Sequence, residues 1–387
     1  MQKFLTSGRI KQVLADDSLK NIELPSSSVG QKKIIHPTDS EYDPDRHESR
    51  FIKNHFSDKI ESIVPFMSVV IPAYNAENTI WHCIRTLNAA LCQIEHDIIV
   101  VDDASTDNTA AVVQKLAGIY GNVSLIRQKK NQGPGPARNC GLKNASGEFV
   151  WFVDADDEIP IENFQNFDIR QACENRDVVM FRYNQVIPGK KGIQPWGKYN
   201  AMVMAARPSD NFTVNEFPSV LTTFNATWNK FFRRESVIFA GMDFPNIIVS
   251  EDLPFIIANL CAAKNIHFVD RELYTYRTDA SNISRIVDQR RLQSLWSLKV
   301  CDDWLEQRHL DPAVMVSYHV CKAHHLHLCC CGAKGNIQDI LLKYLDNYLK
   351  SLDDDTFGNL MQHQFLHRYL KLHMLYLRTK VKQNVRL

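Results

Sequence analysis

The 387-residue chain has no stretch of about 18 uncharged apolar residues, so nothing in it reads as a membrane-spanning helix. Met1-Gln2-Lys3-Phe4-Leu5 also lacks the long apolar core of a secretory signal, and the two absences predict a soluble, intracellular protein. There is no charge excess: 45 Lys and Arg against 44 Asp and Glu leave a formal net charge of +1. With no arginine-rich block and no zinc-finger spacing, nucleic acid is not an expected partner. The ten cysteines do not form the regular framework of a small secreted domain, so reduced thiols are expected. In the cluster from Cys321 to Cys331, which includes His324, His325 and His327, three consecutive cysteines cannot converge from one helix. Helix packing is expected there rather than a structural zinc. What is present is a 44% hydrophobic content, enough for a sizeable core, over a length that suits two or three structural units.

The most informative run is Phe149-Val150-Trp151-Phe152-Val153 followed by Asp154-Ala155-Asp156-Asp157. Five apolar residues suit a strand buried on both faces of an α/β sheet, an architecture that binds ligands beyond the carboxyl ends of its strands. Hard carboxylate oxygens there suit Mg²⁺ or Mn²⁺, which accept one or two protein carboxylates beside substrate phosphates. An ordinary Asp-rich surface turn is the alternative on these residues alone.

Upstream, Met67-Ser68-Val69-Val70-Ile71 reads as a buried strand, and Pro72-Ala73-Tyr74-Asn75 breaks it. A helical pattern follows, with Ile80, Ile84, Leu87 and Leu91 on one face. The next strand, Asp97 to Val101, runs into Asp102-Asp103-Ala104-Ser105-Thr106-Asp107, where Ser105 or Thr106 is the expected cap of a helix carrying Ala110, Val113, Leu116 and Ile119. Val123 to Ile126 makes a third strand, and Asn131-Gln132-Gly133-Pro134-Gly135-Pro136-Ala137-Arg138-Asn139 leads into a short helix. Strands and helices alternating through short connections predict parallel βαβ units.

Taken in order, Ile71 to Asn75, Val101 to Asp107, Asn131 to Gly133 with Ala137-Arg138-Asn139, and Asp154 to Asp157 resemble the family-two glycosyltransferases of the GT-A fold. Trp228-Asn229-Lys230-Phe231-Phe232-Arg233 and Glu251-Asp252-Leu253-Pro254-Phe255 look like the acceptor-side half of that family. The resemblance covers roughly residues 66 to 285 and implies a Rossmann-like, mostly parallel sheet flanked by helices. It divides into a nucleotide-sugar half, 66–157, and an acceptor half, 158–285.

In such enzymes the turn from Pro72 through Tyr74 to Asn75, together with Asp102 and Asp103, lines the base and ribose pocket. A carboxylate there can accept a uracil imide N–H, and a Tyr ring can pack on the base. Arg138, beside shaped Gly and Pro residues and a helix start that favours anions, is expected to face the same pocket, with a surface arginine as the alternative. The resemblance places Asp154 on ribose or metal and Asp156 on the metal, Mn²⁺ or Mg²⁺, that bridges the donor phosphates. Asp157 either completes the metal shell through water or caps a helix beginning near Pro160 and Glu162. Asp252 is the implied catalytic base, at the start of a helix facing the acceptor, with Glu251 as orienting neighbour and second candidate. Repulsion between the adjacent carboxylates, with partial burial, is expected to raise one pKa. Acids placed only to complement a helix dipole are the alternative. Arg277 and Ser284 are expected near the diphosphate. Tyr276 and Arg277 stand where many relatives carry a His ligand. Lys230 reaches a phosphate or acceptor oxygen in one reading, and packing of Trp228 explains the same tripeptide in the other.

Residues 1–65 read as a polar extension. Residues 286–387 read as a helical C-terminal region, with Leu292, Leu295, Trp296 and Val300, and then Ile340, Leu341, Tyr344, Leu345 and Tyr348, at helical spacing. From Thr356 onward there is no acid, and basic residues alternate with Phe365, Leu366, Tyr369 and Leu370. This suits either a helix on the inner face of an anionic cytoplasmic membrane or one packed on its own domain with a basic outer face.

The expected function is an inverting, metal-dependent transfer of a hexosyl or N-acetylhexosaminyl group. The donor is a nucleoside-diphosphate sugar, UDP-linked for preference, and the acceptor a glycan or lipid-linked glycan of a surface polysaccharide such as capsule, O-antigen or lipooligosaccharide. Two other readings stand beside it. A nucleotidyltransferase would need a Gly-rich, Lys- or Arg-bearing phosphate loop directly after the first strand, which Pro72-Ala73-Tyr74-Asn75 does not supply. A non-catalytic sugar-binding scaffold would not need the full set of acids.

Overall fold

The computed structural model describes residues 64–187, 194–195, 197–223, 226–278 and 288–362. The expected extension over 1–65 lies almost wholly outside the described residues, as do Ser284 and the basic segment beyond residue 362.

Strand β1 (Met67–Ala73) is buried along nearly its whole length, as a β-branched run between two neighbours should be. It pairs in parallel with β2 (His96–Asp102) on one side and β4 (Phe149–Phe152) on the other, and β2 pairs in parallel with β3 (Val123–Arg127). Helices α1 (Ile80–Ala90), α2 (Thr109–Tyr120) and α3 (Pro134–Asn144) are the connections between them. The order β3-β2-β1-β4 therefore reverses direction at β1, the kind of switch point that opens a crevice beyond the strand ends.

After α4 (Ile161–Phe164) and α5 (Ile169–Cys173) the chain adds β5 (Val178–Val186), β6 (Gln194–Pro195), α6 (Lys198–Ala205), β7 (Asn211–Phe212) and β8 (Lys230–Arg233). Helices α7 (Arg234–Ala240) and α8 (Asp252–Ala262) lead to the long β9 (Ile266–Arg277). Among the described residues the sheet has nine strands, ordered β3-β2-β1-β4-β8-β5-β9-β7 with β6 on β5. β8 is antiparallel to both β4 and β5, whereas β5 and β9 are parallel. The sheet is thus mixed but mostly parallel, a GT-A architecture. Aromatic side chains fill its acceptor half: Trp151 packs edge-on to Phe231 and Phe181, and its indole N–H donates to Trp228 O at 2.7 Å.

Four helices follow: α9 (Gln293–Glu306), α10 (Pro312–Gly332), α11 (Gly335–Ser351) and α12 (Asp354–Gln362). Their buried residues join one continuous core with the sheet. Trp304 Nε1 donates to Ala240 O at 3.0 Å and Ser297 Oγ to Ser250 O at 2.7 Å, so α9 is tied to the elements flanking α8. The buried stripe of α9 runs through Ser294, Ser297, Leu298, Cys301, Trp304 and Leu305. Leu295, Trp296 and Val300, expected inside, are only half-buried, because the small serines let the helix lie close to the turn before α8. None of the ten cysteines is in a disulfide; within α10, Cys321, Cys329 and Cys330 are buried and Cys331 is exposed. Among the described residues no group of three or more His, Cys, Asp or Glu is arranged to hold a metal, and no helix is long and apolar enough to cross a membrane.

Candidate active site

The parallel register fixes where the loops emerge. Ala73 lies opposite Asp102, and Val153 N donates to Val70 O at 3.0 Å, so the ends of β1, β2 and β4 form one rim. Pro72 is half-buried in β1, while Tyr74 and Asn75 are exposed on the rim. Asn75 (φ 50°), Ala104 (φ 60°) and Ser250 (φ 64°) all take the left-handed conformation, one in each of three loops around the site. Such backbone persists where neighbours over-determine it. Here Asn75 N donates to Ser105 Oγ at 2.9 Å and Thr106 N to Asn75 Oδ1 at 2.9 Å, locking the first two loops together. Ser105 and Thr106 therefore brace a loop instead of capping α2. The N–H of Thr109 is taken by Asp107 at 2.9 Å.

Asp102 and Asp103 reach the same rim, but both carboxylates are buried and occupied. Asp102 accepts from Ser105 N at 3.1 Å and Arg127 Nε at 2.9 Å. Asp103 accepts from Gln132 N at 2.8 Å and Gly133 N at 2.7 Å, and burial raises its pKa against those bonds. In this arrangement they shape the loops of the rim, and Tyr74, 49% exposed, presents an open aromatic face there.

In Asp154-Ala155-Asp156-Asp157 exposure alternates: Asp154 and Asp156 are half-buried, Ala155 and Asp157 buried. Asp157 does not cap α4, which begins after Pro160. Its carboxylate accepts from Tyr274 OH and from Arg277 N, both at 2.7 Å, and Asp154 N donates to the same Tyr274 oxygen at 3.1 Å. Burial, then Asp154 and Asp156, push the Asp157 pKa well up. Tyr274 was not singled out in the sequence. Its signal was the spacing Tyr274-Thr275-Tyr276, two rings on one strand face, and Trp228 stacks on both at 4.5 and 5.3 Å. Arg277 contributes its backbone N–H to Asp157, while its guanidinium pairs with Glu158, which also lies 3.4 Å from His82.

These acids fit a hard divalent cation. The outward pair Asp154 and Asp156 offers two carboxylates, and donor phosphates and water would have to supply the other ligands, as Mg²⁺ or Mn²⁺ permits. Asp157 is committed inward and is a support for that pair.

Arg138 differs most from expectation. It lies within α3 with its side chain 6% exposed, pairing with Asp154 at 2.8 Å and Glu251 at 2.6 Å. Phe244 covers its guanidinium at 5.6 Å. It joins Asp154, after β4, to Glu251 at the start of α8. Gly135 permits the approach: a Cβ there would sit 2.6 Å from Pro245 O. Glu251 is the N-cap residue of α8 and Asp252 its first residue. Burial first, with a smaller push from Asp252 and an opposing pull from Arg138, raises Glu251 to about 7. Burial also raises Asp252. Repulsion between the two acids is thus the lesser cause. Lys230 is fully buried and donates to Ala226 O and Asn229 Oδ1, each at 2.8 Å, so it supports the floor of the site and does not reach out to a phosphate. Burial lowers it to about 7 despite the nearby Asp252.

A cavity of 850 Å³ lies on the opposite edge, among Phe66, Glu148, Arg170, Asp177, Arg233 and Lys264. These residues lie at or near the amino ends of the parallel strands, away from every acid described above.

Residues 68–239 match the family model described as Glycosyl transferase family 2. The putative glycosyltransferase EpsH of Bacillus subtilis is 28% identical over 59% of this chain and 66% of its own length. The alignments with the first two curated relatives span 66% and 64% of those proteins, just under two thirds. Among solved structures, Staphylococcus aureus TarS in complex with UDP-GlcNAc superposes with a TM-score of 0.60 at 21% identity, covering 79% of this chain and 87% of that one. The mannosyltransferase PcManGT of Pyrobaculum calidifontis, in complex with GDP-Man and Mn²⁺, gives 0.50 at 17% identity over 81% and 88%. At these identities the likeness establishes the GT-A fold.

Proposed function

Because residues 68–239 belong to glycosyl transferase family 2, we propose that the chain is an inverting, metal-dependent glycosyltransferase. It moves a sugar from a UDP-linked donor to a glycan or lipid-linked acceptor in the building of a surface polysaccharide. The observation that carries this reading is the double ion pair of Arg138, which holds Asp154 and Glu251 to one guanidinium and so brings donor-side and acceptor-side acids to a single edge. The TarS complex with UDP-GlcNAc supports UDP-GlcNAc as the first donor to try. The curated match to a poly(ribitol-phosphate) N-acetylglucosaminyltransferase, aligned over 35% of that protein, supports a polymeric acceptor.

The residues divide the work. Tyr74 covers the base, over loops shaped by Asp102, Asp103 and Asn75. Asp154 and Asp156 hold the cation, which when bound neutralises charge on the departing diphosphate. Asp252 takes the proton of the acceptor hydroxyl as its oxygen bonds to the anomeric carbon and the bond to the donor phosphate breaks, its electron pair leaving with the diphosphate. Arg277 flanks the diphosphate in this reading; Ser284, its expected companion, lies outside the described residues. Lys230 and Glu251 set the charge around Asp252.

The test is a thermal-shift series against UDP, GDP and CDP and their sugars with Mn²⁺ or EDTA, followed by transfer assays on Asp252→Asn. A Mn²⁺-dependent shift with UDP-GlcNAc, retained in Asp252→Asn while transfer falls at least about 100-fold, is expected. No shift with any nucleotide, or full transfer by Asp252→Asn, overturns the reading.

A further inference from the structure

The loop from Asp154 to Ile159 carries the outward acids, and β9 holds it along one edge. Tyr274 OH and the backbone N–H of Arg277 serve its acids, and Glu158 and Thr275 exchange backbone hydrogen bonds at 2.9 and 3.3 Å. Helix α1 grips the same loop from another element. His82 Nε2 lies 3.4 Å from Glu158 Oε1, Cys83 Sγ donates to Asp154 O at 3.6 Å, and Ile159 N donates to Thr86 Oγ1 at 3.3 Å. Cys83, Thr86 and Ile159 are all buried. The Thr86 hydroxyl gives its hydrogen back to the helix, to His82 O at 3.1 Å or Cys83 O at 3.0 Å, which leaves a lone pair for the Ile159 N–H. Its neighbours on the buried stripe of α1 are Ile80, Cys83, Ile84, Leu87 and Ala90, so Thr86 is the one hydroxyl among them, and the loop is what it serves.

We propose that Thr86, assisted by Cys83, is a positioning residue for the cation pair: from one face of α1 the two fix both ends of the loop and so set where the Asp154 and Asp156 carboxylates stand. This rests on the reading of those two acids as the cation's ligands. Cys83 holds the first residue by its carbonyl, while Arg138 takes the carboxylate of that residue and Tyr274 its N–H. Thr86 holds the last, and Asp156 is presented from a segment anchored at both ends. A thiol is the weaker donor, so Thr86 carries more of the effect. Two carboxylates that share a small, hard cation with phosphate oxygens need close placement. Removing the groups that orient such ligands typically costs about 10- to 100-fold in metal affinity. Helix α1 also starts just after the turn that carries Tyr74, where Ala76 N donates to Thr109 Oγ1 at 2.7 Å. One helix therefore ties the base turn to the cation loop.

Calorimetry of UDP binding to the full chain, once with Mn²⁺ and once with EDTA, tests the proposal through the ratio of the two affinities. Thr86→Val keeps the shape and removes the oxygen, and the ratio should fall at least about 10-fold. Thr86→Ser restores the oxygen and should return the ratio to within about twofold of the unsubstituted chain. Uridine, which carries no phosphate for a cation, should bind all three alike. A ratio unchanged in Thr86→Val, or an equal fall in the Val and Ser variants, overturns the proposal, because a merely structural role would weaken binding with and without Mn²⁺ together. Should Thr86→Val not fold, Cys83→Ala against Cys83→Ser supplies the same contrast, with a smaller fall expected in the Ala variant and recovery in the Ser variant. Hydrogen exchange over residues 154–159 gives a readout that needs no ligand: it should quicken at least about 10-fold in Thr86→Val and stay near the unsubstituted rate in Thr86→Ser. Unchanged exchange in Thr86→Val also overturns the proposal. If the unsubstituted chain shows no Mn²⁺-dependent UDP binding, the proposed function fails, while the exchange rates still decide whether α1 holds the loop.

Discussion

Arg138 shows how far one side chain can be read in advance. Its place beside Gly133, Pro134, Gly135 and Pro136 marks a shaped loop, but the guanidinium's two partners come from residues 16 and 113 positions away. No local pattern encodes that distance. Glu251, one of those partners, is raised by burial against the pull of Arg138, and this makes a sharp pH prediction. Its folded pKa, about 7, lies above the ordinary value of 4.5, so the folded state keeps the proton when the unfolded state has lost it. The stability it contributes is present below about pH 4.5 and is lost as pH rises toward 7. Glu251→Gln removes that loss. The difference in Tm between the variant and the unsubstituted chain should therefore move in the variant's favour from pH 5 to pH 8, as measured by thermal melts. A difference that stays constant over that range would contradict the assignment.

At the scale of elements, the strands and helices up to Asp157 were legible because their apolar periodicity is strong. β1 to β4 and α1 to α3 fall close to where the pattern puts them. What failed was end chemistry: the expected caps Ser105, Thr106 and Asp157 are all drawn into contacts with other segments. β9 illustrates the opposite case, a strand whose importance lies in a residue the pattern left unmarked. Tyr274 joins Asp157 and the backbone of Asp154, so it fixes the loop that presents Asp154 and Asp156. Tyr274→Phe keeps the stacking on Trp228 but removes the hydroxyl, leaving Asp157 short of a buried donor. A loss of roughly 1–3 kcal/mol is expected. Donor affinity should weaken in Mn²⁺ more than in EDTA, and calorimetry with UDP in the two conditions would check it. Equal weakening in both would assign Tyr274 to packing alone.

For the whole molecule, the expected boundary at residue 285 separates two stretches of sequence that share one core. Trp304, Leu298 and Leu305 of α9 are buried in that core, and Lys322 and Asp302 form an ion pair at 2.6 Å between α10 and α9. A chain ending at residue 285 would expose that apolar face, so it should lose cooperative thermal unfolding; a sharp transition with unchanged Tm would show an independent domain. The sequence by itself determined the GT-A fold, because buried parallel strands and their connecting helices are written in local hydrophobic patterns and the motifs at strand ends follow from them. Only the tertiary structure decided which acids are spent on holding loops and which face outward. It alone joined Asp154 to Glu251 through Arg138. Burial and charge pairing depend on residues far apart in the chain, and those distances exist only once the sheet and the C-terminal helices have packed.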